Sequence, residues 1–212
     1  MYELEKEQVL ACARTMDRYG LVSLSGGNVC IRMPNNTFLV TPSAMRYDEM
    51  TPDDVVLVDE NGKPVEGSRR PSSDTSALLY IFKHMPHIHA AIHTHQPYAT
   101  AVGFVTDVLP ACLTTIIDAN NGPVRVAPFN ISANEGMGIL AVQYLGDSLA
   151  VILKHHGVIA VGKSLAEALE SAVYLEDASK TYLSARAIGP VPLLTEEQIA
   201  AESAERGFYG QP

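Results

Sequence analysis

Apolar residues recur at helical spacing over 4–19, where Leu4, Val9, Leu10, Ala13 and Met16 fall near one face and Gly20 supplies a stop. Two short apolar runs follow, 29–33 and 38–40, around a Pro34-Asn35-Asn36 turn; they predict a hairpin closed by Thr41-Pro42-Ser43. A third strand is predicted over 55–58, ahead of a Glu60-Asn61-Gly62-Lys63 turn of the Asn-Gly kind. Helical spacing returns over 74–84, with Ser72-Ser73-Asp74 as capping residues. A strand over 90–95, a helix from 97 to 102, a strand over 124–127 and a helix over 133–145 come next. Two apolar runs, 150–153 and 157–161, flank the polar tip Lys154-His155-His156. The longest helical pattern covers 164–187, with Ser164 as N-cap and Glu167 completing a capping box. Beyond Pro190 the pattern gives a short helix and a Gly-rich end. Irregular alternation with hairpin-linked strands predicts an α/β layered fold around a mostly antiparallel sheet, with no internal boundary, so residues 1–212 are taken as one domain.

Composition narrows the function classes. Apolar residues make up 47% of the 212, ample for a packed core. Charged residues make up 18%, below the usual share of roughly a quarter, which fits a surface partly buried in an oligomer. A net charge of −9 repels nucleic-acid phosphates, while a local pocket can still hold a small phosphorylated ligand. No run approaches the roughly 18 apolar residues of a membrane span, and the charged start MYELEKEQ carries no signal-peptide core. Cys12, Cys30 and Cys112 are odd in number and widely spaced, which suits a reduced, cytoplasmic setting.

The sharpest chemical signal is His93-Thr94-His95. Residues i and i+2 of a strand share a face, so both imidazoles can grip one ion. A third histidine from the tip at 154–156 completes the three protein ligands and open position of a catalytic zinc site. Spacing does not choose between His155 and His156. Nor does it exclude a plain surface cluster, since His84, His87 and His89 lie nearby. The absence of His-Glu-x-x-His disfavours a zincin protease.

Three small-residue loops, Gly26-Gly27-Asn28, Thr41-Pro42-Ser43-Ala44 and Pro71-Ser72-Ser73-Asp74, offer backbone N–H groups and hydroxyls suited to an anion. Each alone is equally explained by turn chemistry. Position alone makes Asp74 a helix cap; as a carboxylate it is also a candidate ligand or proton carrier.

Together, Ser25-Gly26-Gly27-Asn28-Val29, Thr41-Pro42-Ser43, Pro71-Ser72-Ser73-Asp74, His93-Thr94-His95 and His155-His156-Gly157 resemble the class II aldolase/adducin family in order and spacing, from about residue 5 onward. The resemblance implies an α/β/α sandwich and one Zn2+ per subunit, held by His93, His95 and His156, the histidine directly before glycine. Manganese or cobalt are further candidates for that site. It also implies a phosphate pocket of Gly27, Asn28, Ser43, Ala44, Ser72 and Ser73, and a homotetramer with active sites at subunit interfaces. Ser72-Ser73-Asp74-Thr75 and Thr114-Thr115-Ile116-Ile117-Asp118 resemble the epimerase branch. Thr41, where the epimerases usually have lysine, resembles the aldolases, and Ala44 departs from the glycine of both. The leading expectation is therefore a 4-epimerase of L-ribulose 5-phosphate, with Asp118 and Tyr209 as the acid/base pair and Asp74 beside the metal. The alternative is a fuculose-type aldolase, releasing dihydroxyacetone phosphate and an aldehyde. A non-catalytic adducin-like module is disfavoured because the histidine triad is complete.

Overall fold

The strands that read as unbroken apolar runs are those covered by helices on both sides. The computed structural model describes residues 1–205. Its strands are β1 (Asn28–Met33), β2 (Thr37–Val40), β3 (Val56–Val58), β4 (Pro64–Glu66), β5 (Ala90–Thr94), β6 (Val108–Leu109), β7 (Val124–Ala127), β8 (Ala150–Leu153) and β9 (Gly157–Gly162). They form one nine-stranded sheet in the order β4-β3-β2-β1-β5-β9-β8-β7-β6. Every neighbouring pair is antiparallel except β7–β8. The expected mostly antiparallel α/β architecture is the one observed.

The helices are α1 (Glu3–Arg18), α2 (Thr75–His84), α3 (Pro97–Val105), α4 (Thr114–Asn120), α5 (Glu135–Leu145), α6 (Leu165–Ile188) and α7 (Glu196–Glu205). Two cores separate across the sheet because strand side chains alternate. Ile31, Ile92, Ile152 and Val158 pack with residues of α1, α3, α4 and α6. Cys30, Ala91, Val151 and Ile159 pack with Leu78, Ile81 and Phe82 of α2 and with Met137 and Ala141 of α5. His93 follows the parity of Ala91, so it projects on the α2–α5 side, and its register partner Asn28 follows the parity of Cys30 to the same side.

Local chemistry sets the turns. Asn35 and Asn36 sit at φ 60° and 54°, a left-handed pair that asparagine tolerates and that suits a tight hairpin. At the next turn the Asp59 carboxylate accepts from the N–H groups of Asn61 and Lys63, both at 2.9 Å. Ser164 Oγ accepts from the Glu167 N–H at 3.2 Å, and Glu167 reaches back to the N–H of Lys163. This is the predicted capping box displaced by one residue.

Differences from expectation are local. The strand expected over 90–95 ends at Thr94, and the helix expected over 133–145 starts at Glu135 because Ala133 is left-handed at φ 58°. The short strands β4 and β6 carry too few residues for a periodic signal. Helix α4 was not expected: Thr114-Thr115-Ile116-Ile117 is β-branched, which lowers helix propensity. Burial of Ile116 and Ile117 overrides it, together with a buried pair in which Ser171 Oγ donates to Asn120 Oδ1 at 2.6 Å. None of the described helices is long and apolar enough to cross a membrane.

Ile92 is fully buried one residue from His93, on the opposite face of β5. Ile92→Ala should cost about 2–5 kcal/mol in urea unfolding; a loss well below that range would mean that β5 is not the centre of the core.

Candidate functional site

The site is built where β5 and β9 lie side by side. Thr94 pairs with Val158 and His93 with Ile159, so the end of β5 faces the start of β9. Leu153 pairs with Gly157, leaving 154–156 as the tip that joins β8 to β9. That tip resolves the choice between adjacent histidines by turn geometry rather than by strand alternation. His155 is left-handed at φ 62° and exposed, its ring 5.2 Å from Phe104 and 6.3 Å from Phe129. His156 turns inward, its N–H donating to Leu153 O at 3.0 Å.

Three imidazoles then converge. His93 Nε2 lies 3.0 Å from His95 Nε2 and 3.2 Å from His156 Nε2. His93 Nδ1 lies 2.8 Å from Val158 O; the carbonyl can only accept, so Nδ1 carries the proton and Nε2 presents a lone pair. Such an outer hydrogen bond is how metal-binding histidines are oriented. A tetrahedral zinc with bonds near 2.0–2.1 Å places its ligand nitrogens about 3.3 Å apart, close to the spacing of these rings. Burial, and then the neighbouring imidazoles, push the His93 pKa down to about 3. Burial also lowers His95 and His156, while Asp74 acts in the opposite direction on both. All three rings are therefore neutral near pH 7, the state a metal requires. His93, His95 and His156 are the residues that could hold such an ion.

The backbones here lie close because two glycines allow it. A Cβ on Gly157 would stand 2.0 Å from Thr94 O, and one on Gly27 would stand 2.5 Å from His93 O. Gly27 is also left-handed at φ 73°, which a side chain would disfavour.

Asp74 is at the N-cap position of α2, as expected, but its carboxylate caps nothing. Asp74 Oδ2 accepts from Asn28 Nδ2 at 2.9 Å, and Oδ1 accepts from the Ala133 N–H at 3.2 Å. The capping role is thus corrected: Ser72 opens α2, its Oγ accepting from the Asp74 N–H at 3.3 Å and its carbonyl from the Thr75 N–H, while the buried Asp74 carboxylate serves Asn28 and Ala133 and lies near enough to His95 and His156 to influence their charge. Asn28 Oδ1 is a buried acceptor with no partner among the described residues.

The three anion-type loops, weak one by one, are stitched together. The Val29 N–H donates to Thr41 Oγ1 at 3.1 Å, and the Ser72 N–H donates to Thr41 O at 3.1 Å. Pro42 bridges to Pro71, and the Ser43 N–H donates to Arg70 O at 2.9 Å. Asn28 and Ser72 reach Asp74 directly, the Asp74 N–H donating to Ser72 Oγ at 3.3 Å, and Ala44 is left-handed at φ 56°. Tyr47, which the sequence did not single out, ties this region down through its hydroxyl to Gly26 O at 3.1 Å. A lone buried tyrosine gives no motif by which to find it.

Asp118 is not part of this constellation. It lies in α4 rather than in a turn, and with Thr114, Thr115, Glu170, Tyr174, Glu202 and Glu205 it lines a separate cavity of about 510 Å³. Its Oδ1 is buried without a hydrogen-bond partner among the described residues. Tyr209 lies outside the described residues.

Known proteins share both sequence and fold with this chain. Residues 7–183 match the model of the Class II Aldolase and Adducin N-terminal domain. A 5-deoxy-D-ribulose 1-phosphate aldolase of Bacillus thuringiensis serovar kurstaki is 31% identical over 213 residues, covering 100% of this chain and 99% of that protein. A solved L-fuculose 1-phosphate aldolase superposes with a TM-score of 0.90 at 27% identity, covering 96% of each chain. YgbL of Escherichia coli, described as a putative aldolase/epimerase/decarboxylase, shares the fold with a TM-score of 0.84 at 21% identity over 95% of this chain and 98% of that one.

Gly157→Ala should force β5 and β9 apart at the triad. We expect a loss of at least about 1–3 kcal/mol in chemical denaturation. A midpoint equal to that of the unsubstituted protein would contradict the 2.0 Å approach to Thr94 O.

Proposed function

Because the chain belongs to the class II aldolase and adducin family, we propose that it is a divalent-metal aldolase that cleaves a ketose 1-phosphate into dihydroxyacetone phosphate and an aldehyde. The observation that carries this reading is the convergence of the three Nε2 atoms beside a buried carboxylate and the joined loops. The named activities of the 31%- and 27%-identical relatives, both aldolases of 1-phosphates, support it.

The donor set fits zinc, which when bound supplies a Lewis acid that stabilises the negative charge left on the ketose half as the C3–C4 bond breaks. The chain's own groups do the rest. Gly27, Asn28, Ser43, Ala44, Ser72 and Ser73 bind the phosphate through N–H and hydroxyl donors. Asp74 moves the proton at C3 of the dihydroxyacetone phosphate half. Its two oxygens are fixed by Asn28 and Ala133, so its aim is set before substrate arrives.

The molecule acts as a homotetramer of single domains spanning 1–212. Exposed Phe104, Phe129 and Ile131, at 57%, 63% and 67% of their full exposure, support burial of this rim against a second copy. Asp118, remote from its own triad, and Tyr209 then serve a neighbour's site as acid/base groups for the aldehyde half.

The epimerase reading stands second. It shares the bond cleavage, and Asp74 with Asp118 favours it, but it requires the aldehyde fragment to be retained, rotated and re-added. Aldolase activity has the better support, so the order of preference drawn from the motifs alone is reversed.

Zinc-loaded protein should release dihydroxyacetone phosphate from 5-deoxy-D-ribulose 1-phosphate or L-fuculose 1-phosphate, read with a coupled reductase. Chelation should stop the reaction and added zinc restore it. Formation of D-xylulose 5-phosphate from L-ribulose 5-phosphate, with no free fragments, would decide for the epimerase instead. Asp74→Asn should lower kcat about 100-fold or more while one zinc stays bound per chain; full activity would remove Asp74 from the chemistry.

A further inference from the structure

Helix α3 begins two residues after β5 ends, and those two residues are His95 and Gln96. Any shift in the first turn of α3 is therefore passed directly to His95. That turn has few means of holding itself. Gln96, at the N-cap position, makes no side-chain cap, and Pro97 has no N–H to offer. The free donors are the N–H groups of Tyr98 and Ala99.

Both go to one carboxylate on another helix. Glu176 of α6 accepts from the Tyr98 N–H at 3.0 Å through Oε1 and from the Ala99 N–H at 2.9 Å through Oε2. A carboxylate at a helix N-terminus is also favoured by the helix dipole. The Gln96 side chain is fully buried beside it. Its Nε2 donates to Ala172 O of the same helix at 3.1 Å, and its Oε1 accepts from Thr94 Oγ1 at 2.6 Å. Helix α6 packs on β9 as well, the strand whose Val158 carbonyl orients His93. One helix thus indexes both the chain that carries His95 and the strand that aims His93.

We propose that Glu176 is a positioning residue for the metal centre, its carboxylate clamping the first turn of α3 and so fixing the placement of His95. The inference rests on the metal reading above and goes beyond it, since no motif includes Glu176 and it touches none of the three rings.

The test uses Co2+ as the probe in the full-length protein, reading the visible ligand-field spectrum and the Co2+ dissociation constant. Glu176→Ala should change the spectrum and weaken Co2+ binding about tenfold or more, the usual scale for outer partners of metal ligands. Glu176→Gln keeps one oxygen acceptor and should give a smaller change of the same sign. Ser164→Ala removes the N-cap of the same helix without touching α3. It should lower Tm yet leave the cobalt spectrum and affinity unchanged. A native spectrum and affinity in Glu176→Ala would overturn the proposal. So would an equal change in Ser164→Ala, because general loosening of α6 would then explain both. If Glu176→Ala does not fold, Glu176→Gln decides alone: weaker binding supports the clamp and unchanged binding overturns it. Failure of the unsubstituted protein to bind Co2+ at all would sink the metal reading instead.

Discussion

Everything at this site depends on holding three neutral imidazoles with their Nε2 atoms close together, that of His93 with its lone pair toward the other two. Left alone, such a group is unfavourable: two of the nitrogens stand only 3.0 and 3.2 Å from His93 Nε2. The carbonyl of Val158 takes up the Nδ1 proton and leaves Nε2 bare. Burial then removes protonation as an escape, since charging His93 inside the core is strongly disfavoured. What remains is a cluster of nitrogens that could hold a metal ion. The β5–β9 pairing supplies the geometry, and it needs the missing side chain of Gly157 to do so.

The same pairing explains which parts of the site were legible in the sequence. His93 and His95 were readable because they are two apart on a strand, and strand parity is a property of the local chain. His156 was not distinguishable from His155 in that way, because neither lies in a strand. A left-handed residue at the turn sends one ring out toward Phe104 and the other in. Position alone pointed to a cap at Asp74 for a related reason, while the resemblance placed it beside the metal. An N-cap and a site carboxylate call for the same residue at the same position, and only the tertiary partners Asn28 and Ala133 separate them. The long, strongly patterned elements, such as α1, α2 and α6, were found almost to the residue, whereas α4 was hidden by its β-branched composition.

The loops make a parallel point about weak signals. Gly26-Gly27-Asn28, Thr41 to Ala44 and Pro71 to Asp74 each look like ordinary turns. What joins them is hydrogen bonds between segments far apart in sequence, with Thr41 accepting from both Val29 and Ser72. Order and spacing along the chain conveyed what no single loop could, because a shared pattern summarises contacts that one sequence does not display. Glu176 shows the converse: a carboxylate on a long amphipathic helix has no motif, and its role emerges only from the two N–H groups it meets.

The choice between cleaving a sugar phosphate and epimerising it turns on a different part of the molecule. On the reading proposed above, both outcomes break the same bond and use the same Lewis acid, the same loops and the same Asp74. They differ in what faces the aldehyde half after cleavage, and in whether that half is kept long enough to turn over. Among the described residues, Asp118 lines a cavity whose walls include none of the three histidines. On the homotetramer proposed above, the groups that handle the aldehyde come from a neighbouring copy, and the exposed aromatic rim at Phe104 and Phe129 is where that copy would dock. On that reading the metal centre sets the reaction type, and the assembly decides its outcome.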